Sequence, residues 1–426
     1  MRPWLGLSTL MILTPAALAG AAETKPLSLK AAVLQAESYS PGIKAALAAV
    51  QKAQAAITVS RSYLIPNLEA QGTDEKGYIG SPGPFPLQGI AGSPFKFQPS
   101  GALTSSLDLN PQYPFAIWAA YKDLDTAKAK VLVERYLVDQ QAINYYFAAS
   151  FERGLQDVWR YVENQLIDPL YTTVKTFVSN GQVNPQDLYL LEDQRWIARY
   201  GQASALVRYD YNIEKLGILL GIDSGTVAVP AIDMVGDLDI NVFTIGKESP
   251  YITRAVAAAK AADVRVKQKI AQYFPEVGLT GAWGGEGNSI PGVSKQSYTA
   301  DFEVRVPIFE GLRYYGEHQE AKHFYERSAF LVGDARIYVG EGDASFDKEI
   351  EDSKVRLSYY IPELKTDRKA FRLSRYRYLA FQGPLVDVRE AIRDIGDTLT
   401  RIERSRRDLY AGAASKEVWD GGRPTP

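Results

Sequence analysis

The sequence predicts an α+β chain made of two copies of one unit, in which a short helix leads into a β-hairpin and the hairpin into very long helices. Three observations carry the prediction. A pattern recurs at constant offset, four segments alternate apolar and polar residues, and two helical stretches exceed anything a globular domain of this size encloses.

Ser40-Pro41 opens an Ala-rich stretch that ends at Leu64-Ile65-Pro66-Asn67-Leu68. Ser249-Pro250 opens a similar stretch that ends at Tyr273-Phe274-Pro275-Glu276-Val277. Proline to proline is 25 residues in both copies, the offset is 209, and Gly72 and Gly281 fall in the same register. Serine as N-cap with proline at the first helical position predicts helices over 43–60 and 252–272.

Each helix is followed by a hairpin, over 63–109 and 274–309. In the last strand Tyr298, Ala300, Phe302, Val304, Val306 and Ile308 face one way, and Thr299, Asp301, Glu303 and Arg305 the other. Leu103, Leu107 and Leu109 oppose Thr104, Ser106 and Asp108; Leu68 and Ala70 oppose Asn67, Glu69 and Gln71; Val277, Leu279 and Trp283 oppose Glu276 and Thr280. Period-two alternation gives one apolar and one polar face. A soluble sandwich turns the apolar face inward, and a membrane barrel turns it to lipid. Four strands cannot close a barrel around a pore, so either the hairpins cover a small core or several chains share one barrel. The second arrangement fits two hairpins separated by mostly helical sequence with less strain.

From Pro114 to Asn180 the chain reads as helix for 67 residues, interrupted by Pro169. Continuous helix of that length spans about 100 Å at a rise of about 1.5 Å per residue. Gly311 to Gln382 is similar. Neither carries a sustained Leu heptad seam; Ala, Gln, Tyr and charge suit a wall wetted on two sides. Gly333, the run Gly340-Glu341-Gly342, Pro169 and Pro362 are expected to kink or break these helices.

Composition narrows the class. The 48 basic residues balance 50 acidic ones, so nothing suggests nucleic acid as a partner. There is no cysteine, which excludes disulfides, thiol catalysis and an acylated N-terminal Cys. Arg2, the apolar run Leu5–Leu13 and the small-x-small site Ala17-Leu18-Ala19 predict a signal peptide over 1–19, with Gly20 opening the mature chain. Beyond it no apolar run reaches the roughly 18 residues of a transmembrane helix, so membrane entry requires a closed barrel. The 26 tyrosines suit the aromatic girdles of such barrels.

The ordered motifs resemble those of the TolC-like outer-membrane efflux protein family, the outer membrane factors. The family's Leu-x-Pro-x-Leu strand start is matched by Leu64-Ile65-Pro66-Asn67-Leu68, and its Pro-x-Phe-x-Gly turn by Pro307-Ile308-Phe309-Glu310-Gly311. Its helix–helix turn, with Gly, an Asp-Val/Leu pair six residues on and a helix ending in Leu-x-x-x-x-Gly, is matched by Gly181, Asp187-Leu188 and Leu216-Gly217-Ile218-Leu219-Leu220-Gly221. The similarity runs from Leu29 to about Tyr410. It implies a homotrimer with one shared twelve-stranded barrel in outer-membrane lipid and a periplasmic helical barrel. The first repeat would cover 20–221 with long helices over 114–221, and the second 250–410 with long helices over 311–410. An equatorial linker over 222–249 and a tail over 411–426 would form a collar, and segments 74–99 and 284–297 would be extracellular loops. The second turn, Gly383-Pro384-Leu385-Val386-Asp387, reads as two residues shorter than the first, with Gly383 in the place of Gly181.

The resemblance further implies an exit duct of a tripartite efflux or type I secretion system, working with a periplasmic adaptor (membrane fusion) protein and an inner-membrane transporter. The alternative is a periplasmic coiled-coil adaptor or scaffold. Asp387 and Glu390, three residues apart at the start of the last helix, share a face. In the family two acidic residues here narrow the periplasmic mouth; the plain alternative is acidic bias that complements a helix dipole. Asp187 holds the corresponding place in the first repeat and is expected to touch the neighbouring turn. No catalytic constellation, cofactor motif or metal site is expected. His318 and His323 lie roughly 140° apart on a helix and share no ligand face.

Overall fold

The computed structural model describes residues 26–78, 95–231, 243–244, 248–287 and 294–424. The expected signal peptide over 1–19, and residues 79–94 and 288–293 of the expected loops, lie outside the described residues. The elements run α1 (Leu29–Tyr39), α2 (Pro41–Ser62), β1 (Asn67–Tyr78), β2 (Phe95–Leu109), α3 (Gln112–Tyr161), a π-helical turn (Val162–Ile167), α4 (Asp168–Ser179) and α5 (Pro185–Leu220). A 3-10 turn (Ser224–Thr226) and β3 (Phe243–Thr244) follow, then α6 (Pro250–Ala271), β4 (Glu276–Gly287), β5 (Ser294–Arg305), α7 (Arg313–Leu379), α8 (Leu385–Trp419) and β6 (Arg423–Pro424). The strands reach further into segments 74–99 and 284–297 than expected, and α8 runs on past Tyr410.

Local chemistry explains the helix starts. The Ser40 side chain accepts a hydrogen bond from the Ile43 amide at 3.3 Å, and Pro41 sets the first helical φ. Ser249 holds the same position before α6, but its buried hydroxyl makes no cap bond. Asn184 caps α5 by accepting from the Gln186 amide.

The chain divides into two compact units: Val33–Ile143 with Asp239–Ser358 and Asp408–Pro426, and Met1–Ala32 with Asn144–Leu238 and Tyr359–Arg407. The first holds the sheet, in the order β1-β2-β4-β5 and antiparallel throughout, so the two hairpins meet at β2 and β4. The register puts Leu107, Leu279 and Phe302 in one row and Leu103, Trp283 and Tyr298 in another, on the same face. Asp108, Gly278 and Glu303, then Ser106, Thr280 and Asp301, form rows on the opposite face. The apolar face is bare: Trp283 is 55%, Phe302 68% and Tyr298 87% exposed. The outer edges of β1 and β5 have no partner among the described residues.

In the same unit, the end of α8 is anchored by rings. Trp419 packs against Tyr136, Tyr251, Tyr338 and Phe346 with centroids 5.3 to 5.8 Å apart, and its indole N–H donates to the Val339 carbonyl. Gly342 is required here, since a Cβ on it would run into the Trp419 ring. Nearby, Asp139 of α3 is buried against Glu37 of α1. Burial and then the Glu37 charge push its carboxyl up to about 8, against the pull of Arg135 and Arg423. A carboxyl whose folded value is raised contributes its stability below the unfolded value of 3.8 and loses it as pH rises through about 8. Thermal denaturation of Asp139→Asn should therefore show a midpoint above wild type by roughly 5 °C at pH 9, with the gap closing towards pH 4. Parallel pH profiles for the two proteins would contradict this.

The second unit packs α4, α5 and the ends of α7 and α8 around Ile167, Leu170, Val174, Leu191, Ile392 and Ile395, all at most 1% exposed. Gly201 of α5 lies against the Trp159 ring, where a Cβ would come within 2.7 Å.

Two expectations about these helices are corrected. The helix does change at Pro169, through the π-turn just before it, whose wider ring relieves the clash a proline ring makes with the preceding turn. By contrast α7 runs unbroken through Gly333, Gly340, Gly342 and Pro362. Around Pro362, Glu363 pairs with Arg401, Tyr360 stacks under that guanidinium, and Asp367 accepts from Thr398; these contacts to α8 offset the lost backbone bond. The second correction concerns the helix turns. Both contain five residues, 180–184 and 380–384, so the second is not shortened.

Candidate functional site at the helix turns

The two turns are built alike. In the first, the Gln182 amide donates to the Phe177 carbonyl and the Gly181 amide to the Val178 carbonyl. In the second, the Gln382 amide donates to Arg377 and the Phe381 amide to Tyr378. This bond pair closes a helix around one left-handed residue. Gly181 takes that conformation at φ 68°, and Phe381 takes it at φ 58°. The counterpart of Gly181 is therefore Phe381, not Gly383. Aligning the turns by their glycines produced the apparent shortening.

With the turns in register, Asp187 and Asp387 are each the third residue of the helix that follows. Asp187 accepts a hydrogen bond at 2.8 Å from the hydroxyl of Tyr378, at the end of α7. The ring of Tyr378 is 3% exposed, and burial, reinforced by the Asp187 carboxylate, raises its hydroxyl well above the ordinary tyrosine range. The phenol thus stays a donor, and the bond ties the first turn to the second. Phe177 and Phe381 add a ring contact at 5.3 Å between the same turns.

Asp387 and Glu390 are exposed, and neither makes a hydrogen bond or ion pair among the described residues. Their stripe continues. Asp394 and Asp397 are also exposed, and the spacing of three, four and three residues keeps all four carboxylates within roughly 80° of α8. Asp394 meets only Arg393, at 3.8 Å. The sequence reading stopped at the first two acids and missed Tyr378; the i, i+3, i+7, i+10 spacing was there to be read, whereas the tyrosine lies 191 residues from its partner.

Among the described residues no group of three or more His, Cys, Asp or Glu could hold a metal ion, and no helix is long and apolar enough to cross a membrane. His323 contacts Glu326 on the same helix.

A second surface feature belongs to α5. Tyr189, Trp196, Tyr200, Val207, Tyr211 and Ile218 are each 56% to 74% exposed. Their spacing of 7, 4, 7, 4 and 7 residues confines them to a stripe roughly 60° wide. On α7, Tyr359, Leu373 and Tyr376 are 58% to 71% exposed on a face of their own.

No protein-family model matches the chain, and no curated protein matches it in sequence. Solved structures do match. The outer membrane protein VceC of Vibrio cholerae superposes with a TM-score of 0.77 at 16% identity, over 92% of this chain and 95% of VceC. CusC, whose structures concern folding and transmembrane channel formation, gives 0.80 at 15%, over 92% and 91%. The CmeC outer membrane channel of Campylobacter jejuni gives 0.76 at 13%, over 93% and 87%. At these identities the likeness is one of architecture, and it spans nearly the whole of each chain: the protein has the TolC-like outer-membrane-channel fold.

Proposed function

We propose that this chain is a non-enzymatic exit duct in the outer membrane, assembled from three copies and extending into the periplasm. In it, substrates pass from the periplasm or from an inner-membrane transporter to the exterior, with a periplasmic adaptor joining transporter and duct. The observation that carries the reading is the bare apolar face of the sheet. A face bearing Trp283, Tyr298 and Phe302 is costly in water and stable against lipid. The opposite face, with Asp108, Asp301 and Glu303, suits a water-filled lumen.

The unpaired edges of β1 and β5 support the oligomer, since a membrane sheet must close and four strands are too few. Such a contact joins unlike edges head to tail, and three copies close it as a ring of twelve strands.

Expressed in a Gram-negative host, the protein should sediment with the outer membrane, require detergent for release, run as a trimer and conduct ions in planar bilayers. Recovery as a soluble periplasmic monomer would sink the duct and favour an adaptor or scaffold.

A further inference from the structure

In the unit that holds the sheet, the helices follow the order of the strands they join. α2 packs on α3 through Ile57, Ala120 and Leu124, α3 binds α6 through Asp123 and Arg265, and α6 binds α7 through Lys269 and Glu317. The outer helices are therefore α2, which leads into the free strand β1, and α7, which follows the free strand β5. On α7, Glu326, Phe330, Gly333, Ile337 and Gly340 recur every three or four residues, in a stripe roughly 80° wide. Phe330 is 76% and Ile337 63% exposed, and a Cβ added at either glycine would meet no atom of the described residues within 4 Å. Glycine weakens a helix interior relative to alanine, and nothing among the described residues of the chain asks for it here. Small residues between large ones are what a closely approaching second helix requires.

On α2, Pro41, Ala45, Ala48, Lys52, Ala55 and Val59 are all exposed and keep the same spacing, roughly 160° round the helix from Ile57. α2 runs towards the sheet and α7 away from it, so the two stripes match when set antiparallel. Lys52 then meets Glu326, Ala48 meets Phe330, Ala45 meets Gly333 and Pro41 meets Ile337. The distances from the sheet agree: Lys52 lies 10 residues before Ser62, the end of α2, and Glu326 lies 13 residues after Arg313, the start of α7. The charges agree as well. α2 carries Lys44, Lys52 and Arg61 and no carboxylate. Among the described residues Lys52 makes no ion pair, and Glu326 meets only His323.

We propose that this face of α7 packs on this face of α2 in the next copy of the chain, large side chains against small ones, with Lys52 paired to Glu326. The seam rests on the head-to-tail ring of the duct reading, and it gives the helices of that ring, not only its strands, a specific partner. Phe330 and Ile337 are costly in water, and a second copy supplies the spacing, the charge and the distance from the sheet together.

The chain has no cysteine, so introduced pairs report cleanly. In the purified full-length protein in mild detergent, Ala45→Cys with Gly333→Cys should be joined by a short bis-maleimide into covalent dimers and trimers. Within one chain α3 and α6 stand between the two positions, three helix spacings of roughly 9 Å, beyond the reach of the reagent. Leu331→Cys, roughly 160° round α7 from Gly333, should not link to Ala45→Cys. Gly333→Leu raises helix propensity and would stabilise a solvated helix; in the seam it overpacks and should weaken the trimer roughly tenfold or more, read by light scattering on dilution. Lys52→Glu should weaken the trimer as well, and Glu326→Lys in the same chain should restore it. Missing cross-links in a protein that scatters as a trimer would overturn the seam and leave the duct standing. So would Gly333→Leu trimers as stable as wild type, or a charge swap that fails to restore assembly. A monomeric wild type would overturn the ring, and the seam with it.

Discussion

Changing Trp196 and Tyr200 together to glutamate should leave the protein monomeric in mild detergent. The two residues sit in the middle of the exposed stripe on α5, 67% and 74% exposed. A narrow stripe of large apolar side chains over some eight turns of helix is the pattern of a helix waiting for a helical neighbour. The contacts of α5 within its own unit lie elsewhere: Arg199 and Gln202 bind Glu163, Arg208 binds Glu152, and Gly201 lies against Trp159. The exposed Tyr359, Leu373 and Tyr376 of α7 would supply the complementary edge. A head-to-tail ring uses both. Each copy would then bury two carboxylates, only the one at 196 with a cation beside it, Arg199, at several kcal/mol per interface, which a ring of three cannot absorb. Tyr200→Phe removes only a hydroxyl and should remain trimeric. Light scattering of the detergent complex separates these outcomes, and a trimeric double mutant would show that the stripe faces solvent.

What could be read from the sequence was whatever repeats. The offset of 209 between Pro66 and Pro275 put two hairpins in the chain, and strict alternation put Leu103, Trp283 and Tyr298 on one face, as the register then shows. Period-two patterning survives because a one-residue slip would turn every side chain over. Features set by long-range packing were not legible. Pro362 looks like a helix breaker as much as Pro169 does, yet the contacts of Glu363 and Asp367 with α8 hold the helix through it. Phe381 in a left-handed turn is invisible to a search for glycine, because a bulky residue there is tolerated only when the bond pair closing the turn enforces it. At the candidate site, Asp387 and Glu390 were readable from helix spacing. The tie from Tyr378 to Asp187 was not, since nothing in either segment announces its partner.

That tie and the acidic stripe lead to separable effects on conductance. If three copies surround a mouth at these turns, Asp387 and Glu390 contribute six carboxylates, none of them paired among the described residues. Such a ring attracts cations and repels anions. Its members also repel one another at a few ångströms, so divalent or trivalent cations that bridge them should hold the mouth closed. In planar bilayers, Asp387→Ala with Glu390→Ala should therefore weaken the block by trivalent cations added on the periplasmic side, and lower cation selectivity several-fold. Some selectivity should persist, because Asp394 and Asp397 continue the same face of α8. Tyr378→Phe acts on the other term. It removes the hydroxyl that donates to Asp187 at 2.8 Å and leaves that carboxylate half-buried without its partner, but it changes no charge in the stripe. This variant should conduct more at rest with its selectivity unaltered. If the double mutant keeps wild-type selectivity and block, the carboxylates are a solvated helix start and the constriction lies elsewhere. If Tyr378→Phe leaves resting conductance unchanged, the tie between the turns braces the helices without holding the mouth shut.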